Sequence, residues 1–150
     1  MTFKQAVEAA SSVARHYRPG LQALRSNSHK IECSKTRRLT GSVNLDEALK
    51  AKDPQGNRWD YGIGFLRKNK EVAVWVEIHP ANSESIQDVL SKLKWLKEWL
   101  NTDAKELRDL TEDDYYWLST DGIAITQNSS HAKRLASAGL RGPMRVLKLE

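Results

Sequence analysis

The stretch Arg58 to Ile78, RWDYGIGFLRKNKEVAVWVEI, decides the fold. Two runs rich in β-branched and aromatic residues, RWDYGIGF over 58–65 and EVAVWVEI over 71–78, flank a polar turn from Arg67 to Lys70. Such runs read as strands, and so short a connection makes them a hairpin. If the hairpin closes symmetrically about Lys68 and Asn69, Asp60 falls opposite Glu77. Directly opposed residues share a sheet face, with Cβ atoms about 5 Å apart. His79 lies two residues beyond Glu77 and therefore points the same way, roughly 7 Å further on. A slip of one residue would turn one acid to the other face.

Upstream, residues 38–45 alternate, with Leu39, Val43 and Leu45 on one side and Thr40, Ser42 and Asn44 on the other. This predicts a third strand with one polar face, and turn residues over Lys52 to Asn57 (KDPQGN) join it to the hairpin as an antiparallel meander. Phe3, Ala6, Val7, Ala10, Val13, Ala14 and Tyr17 recur at helical spacing and predict a helix over 2–17, ended by Arg18-Pro19-Gly20. Residues 21–35 read as a short helix or irregular segment. Downstream, His79-Pro80-Ala81-Asn82 should break the sheet, with Asn82 or Ser83 capping a helix over 83–100. Ile86, Val89, Leu90, Leu93, Leu96 and Leu100 form that helix's core stripe. Residues 115–125 read as strand-turn-strand or as one strand interrupted at Asp121-Gly122, 131–138 as a helix stopped by Gly139, and 144–149 as a terminal strand. The expected class is α+β, three-layer-like, in one domain over 1–150: a central mixed sheet flanked by the N-terminal helix and the helix near 83–100.

Two carboxylates converging from adjacent strands suit a hard divalent cation. Glu77 ends an apolar run beside Trp75, and an ion, a lysine or His79 must offset the cost of burying its charge. Asp60 has the plainer alternative of pairing with Arg58 or a nearby lysine; Gly62 and Gly64, on its face, leave room for an ion.

The order helix, three strands, helix, strand, with Asp60 on the second strand and Glu77-Ile78-His79 on the third, resembles the core of the PD-(D/E)XK nuclease-like superfamily over residues 2–125. The resemblance implies a restriction-endonuclease-like fold in which Asp60 and Glu77 bind Mg²⁺ or Mn²⁺ for phosphodiester cleavage. His79 stands where that family's motif carries lysine, as a metal ligand, a proton acceptor or a mark of lost activity. A lysine can also reach such a site from the following helix. Lys92 and Lys94 are the candidates, and Lys94 is assigned the catalytic role because it projects further from the core stripe. Glu8, on the first helix, resembles an additional acid of some relatives, although a surface pairing explains it as well.

The formal charge of +5 favours anionic partners. Arg37, Arg38 and Lys92 are the expected phosphate contacts for DNA or RNA. Trp95 and Trp99, four residues apart, complete the core, stack on bases, or form a protein or homo-oligomer interface. The alternatives to a nuclease are a non-catalytic nucleic-acid-binding module on the same scaffold, and a protein-interaction or immunity-type domain using the tryptophans or the acidic segment 103–114. No apolar run approaches the roughly 20 residues of a membrane span. The polar-faced N-terminal helix does not resemble a signal peptide, and the single cysteine, Cys33, excludes a disulfide framework, so a cytoplasmic location is expected.

Overall fold

A computed structural model describes residues 1–126 and 128–150. Helix α1 spans Phe3–Ala9, capped by a reciprocal pair of hydrogen bonds between Thr2 and Gln5. The chain then leaves helical geometry at Ala10 and continues through tight turns, earlier than the periodicity predicts. Ser11 and Ser12 follow, residues of lower helix propensity than the alanines before them. The apolar stripe still works as expected: Phe3, Ala6, Val7, Ala10 and Val13 are all buried. A 3₁₀ segment, Gln22–Lys30, leads into β1 (Ile31–Glu32). Strand β2 is Leu39–Asn44, but Leu45 opens a short helix, α2 (Leu45–Leu49), capped by the Asn44 side chain. The expected polar face of β2 is covered: Ser42 is fully buried and its hydroxyl accepts the Ala23 N–H at 3.0 Å.

The hairpin closes as the sequence predicts. Strand β3 (Tyr61–Arg67) and strand β4 (Lys70–Ala81) pair antiparallel from Tyr61↔Val76 to Arg67↔Lys70. Lys68 and Asn69 both take positive φ, the two-residue turn whose twist matches the flanking strands. Strand β4 does not break at His79-Pro80 but runs on to Ala81. By then β3 has ended, and β4 pairs only with its other neighbour, so Pro80 disturbs one ladder rather than two.

Helix α3 (Ile86–Thr102) follows an Asn82 side chain that accepts the Ser85 N–H, and a short α4 (Lys105–Asp109) leads into β5 (Thr111–Ile123). β5 begins earlier than expected; it stays extended through Asp121-Gly122, but its ladder with β4 shifts register between Ser119 and Ile123, so the expected interruption takes the form of a bulge. Helix α5 (Ser130–Ser137) ends before Gly139, whose φ of +83° suits a helix stop. Strand β6 (Leu140–Met144) is an addition to the expected elements, and the terminal strand expected over 144–149 shrinks to β7 (Leu147–Lys148).

The main sheet is mixed and five-stranded, in the order β2-β3-β4-β5-β6, with an antiparallel meander continued by parallel β4-β5 and β5-β6 pairs. β1 and β7 form a separate parallel pair. The unbroken run Val72–Val76 is buried on both faces, as expected of a strand inside a layered fold. Ala73 and Trp75 join the core under α1, α3 and α4, while Val72, Val74 and Val76 pack under the 3₁₀ segment and β7. Among the described residues no helix is long and apolar enough to cross a membrane.

Candidate active site

Where β3 begins, the β3–β4 ladder gives way to side chains, while β4 goes on pairing with β5 as far as Ala81. The Asp60 N–H donates to Glu77 Oε1 at 3.1 Å, and the Ile78 N–H donates to Asp60 Oδ2 at 3.0 Å. Each acid therefore binds the backbone of the opposite strand, an arrangement that follows from the hairpin register. Asp60 is further fixed by its carbonyl, which accepts the Leu45 N–H at 2.8 Å. Glu77 is completely buried. Its second oxygen, Oε2, accepts from Lys92 Nζ at 2.7 Å, and the lysine side chain retains 25% exposure. Two strands and one helix thus bring Asp60, Glu77 and Lys92 together. They meet at the edge left where β3 begins, while Glu77 itself still lies in the parallel ladder opposite Trp117 of β5.

The charges do not balance if all three groups ionise. Burial raises the Glu77 pKa to about 8, Asp60's charge adds to it, and Lys92 opposes it. Burial also raises Asp60, against the pull of Lys92 and the Ile78 N–H. For Lys92 burial favours the neutral amine, but the charge and hydrogen bond of Glu77, with Asp60, outweigh it and raise the pKa. The two partners' upward shifts favour opposite charge states, an ionised lysine and a neutral acid. They agree on the cluster: at neutral pH it keeps the lysine proton and holds another among the carboxylates.

His79 occupies the rim on the Glu77 face. Its Nδ1 lies 3.2 Å from the Pro80 carbonyl, and its ring sits edge-on to Trp117. Arg58 does not pair with Asp60; it binds Asp46 at 3.0 Å and the Asp53 carbonyl at 2.6 Å. Sequence reading missed that buttress, although Asp46 is close enough to shift both Asp60 and Lys92.

Several expected site residues lie elsewhere. Lys94 is exposed beside Leu90, Lys97 and Arg134, on the flank of α3 facing α5, so Lys92 rather than Lys94 meets the acids. Arg37 and Arg38 precede the Leu39 end of β2, which pairs with Phe65; the Asn44 end pairs with Tyr61 beside the acids. Roughly 17 Å of strand separates the two ends, at about 3.3 Å per residue. Gly62 and Gly64 leave no room for an ion: a Cβ would meet the Trp75 ring at 2.6 Å in one case and Phe3 at 2.5 Å in the other. Glu8 is exposed on α1, near Tyr17. Trp99 belongs to the core, edge-to-face with Trp75, while Trp95 stacks on it and remains partly exposed. In the acidic segment, Asp114 binds Arg67 at 2.9 Å and Glu112 binds Lys70 at 3.0 Å, at the opposite end of the hairpin.

Among the described residues, no group of three or more His, Cys, Asp and Glu side chains is placed to hold a metal. The donor set is two carboxylates. Asp60 Oδ1 has no hydrogen bond among the described residues, while the Glu77 oxygens are bound by an N–H and an ammonium. A hard cation that retains several waters fits such a set, and it would relieve the excess negative charge that now holds a proton. No protein-family model, curated protein or solved structure matches the chain.

Proposed function

We propose that this chain is a nuclease-like domain that hydrolyses phosphodiester bonds of DNA or RNA with Mg²⁺ or Mn²⁺, after the manner of the PD-(D/E)XK group. The observation that carries this reading is the meeting of Asp60, Glu77 and Lys92 at one end of the sheet. The strand, strand and helix order supports it, with the helical Lys92 taking the part of the motif lysine that His79 replaces.

Asp60 and Glu77 would hold the cation. When bound, it would neutralise phosphate charge and acidify an attacking water. Lys92, partly exposed, places a permanent positive charge beside Glu77 and within reach of a phosphate oxygen. His79, at the rim, is the candidate to accept the water's proton.

The test uses labelled single- and double-stranded DNA and RNA with Mg²⁺, Mn²⁺ or chelator, and compares wild type with Asp60→Asn and Lys92→Ala. Metal-dependent cleavage should fall at least about 100-fold in either variant. Equal cleavage by Asp60→Asn contradicts the assignment.

One observation favours a second reading, a non-catalytic nucleic-acid-binding module: the site has two carboxylates, one already paired with Lys92. This reading predicts binding that weakens steeply with salt and ignores chelator.

A further inference from the structure

We propose that a cavity on the α2-facing flank of α3 is a recognition pocket for the guanidinium of an arginine side chain presented by a partner protein. The cavity, about 390 Å³, lies between the carboxyl-terminal half of α3 and the segment after α2. Its size falls within the usual range of ligand sites. One wall is aromatic: the partly exposed Trp95 stacks on the buried Trp99, with rings 4° from parallel and centroids 6.1 Å apart. Trp95 Nε1 donates to Asp53 Oδ2 at 2.9 Å, which fixes the more exposed indole before any ligand arrives.

The polar lining chooses the ligand's sign. Asp53, Glu98 and Asp103 face the cavity against a single cation, Lys52, in a chain whose formal charge is +5. The helix itself adds to this. The carboxyl end of α3 carries the negative pole of a 17-residue helix, and no basic residue lies in its last turn. Arg108 reaches α3 at Asn101, which lines the groove on the α5 side instead. The cation that helices ordinarily place at this position is therefore left for a ligand to supply.

A nucleic-acid backbone would bring phosphates against three carboxylates, and an apolar peptide would strip water from them without repayment. A guanidinium satisfies each feature together. It is planar and weakly hydrated, stacks on indole, and offers five N–H donors to carboxylates. An ammonium has neither the plane nor the fork. The pocket's lining does not include Asp60, Glu77 or Lys92.

The experiment titrates the peptides acetyl-Gly-Arg-Gly-amide and acetyl-Gly-Lys-Gly-amide, and guanosine monophosphate, into ¹⁵N-labelled protein. It follows the indole N–H resonances of Trp95 and Trp99. The arginine peptide should shift both, with a Kd on the order of 1 mM for one isolated side chain. The lysine peptide should bind at least about 5-fold more weakly. Glu98→Gln combined with Asp103→Asn, both exposed positions, should weaken arginine binding about 10-fold without altering the remaining spectrum. The proposal is overturned if the arginine peptide leaves both indoles unmoved. It is equally overturned if the nucleotide binds more tightly than the peptide, if the double variant binds arginine as well as wild type, or if the resonances move only with protein concentration, which would mark a second copy as occupant.

Discussion

Replacing Glu77 with glutamine removes one ionisable group from the centre of the cluster and keeps its shape. The consequence is a change in how stability depends on pH. Glu77 is fully buried, and its pKa rises from 4.5 to about 8 through burial and the neighbouring charge of Asp60. Between those values the folded chain holds a proton that the unfolded chain has lost, so wild-type stability falls as pH rises and the fall is complete above about pH 8. A span of three to four pH units at about 1.4 kcal/mol each sets an upper limit near 5 kcal/mol. Because Asp60 and Lys92 titrate in the same cluster, about 3 kcal/mol is expected between pH 5 and pH 8. Glutamine stays neutral throughout, so Glu77→Gln should lack this slope, whatever constant cost its amide incurs. Urea unfolding of both proteins at several pH values measures the difference directly. Saturating Mg²⁺ should flatten the wild-type curve and leave the variant unchanged. A difference that is constant with pH, or a wild type that gains on the variant as pH rises, would refute the reasoning.

Lys92→Met leaves Glu77 without its 2.7 Å partner and should cost about 3 kcal/mol, increasing with pH, whereas the exposed Lys94→Met should be nearly neutral; chemical denaturation distinguishes them. Gly64→Ala drives a methyl to within 2.5 Å of the buried Phe3 and should lower stability by about 1–3 kcal/mol, a calorimetric shift of several degrees. Asn82→Ala removes the side chain that accepts the Ser85 N–H at the entry to α3, and about 1 kcal/mol should be lost in the same assay.

The hairpin was legible because its information is local. Two residues that accept positive φ, flanked by apolar runs, fix the register, and the register alone brings Asp60 to Glu77. The α3 stripe and the Asn82 cap were legible for the same reason. The choice between Lys92 and Lys94 was not. The two positions flank the buried Leu93 symmetrically, about 100° to either side, and which flank overhangs the end of β4 depends on how the helix crosses the sheet. No pattern within the helix encodes that crossing. The remoteness of Arg37 and Arg38 could have been read, since an antiparallel meander carries the start of β2 to the end of β3 far from Asp60. The length of β5 could not, because its exposed Asp121 and Gly122 have poor strand propensity and lie in a bulge whose far side is anchored by the pairing of Ile123 with Ala81.

The most direct measurement is calorimetric titration of Mn²⁺ into the protein at pH 7, repeated in two buffers of different ionisation enthalpy. One ion should bind per chain and release about one proton, the one that burial favours on Glu77. Asp60→Asn and Glu77→Gln should both lose that binding. Absence of binding by the wild type, or binding that releases no proton and survives in both variants, would contradict a cation site at the junction of β3, β4 and α3.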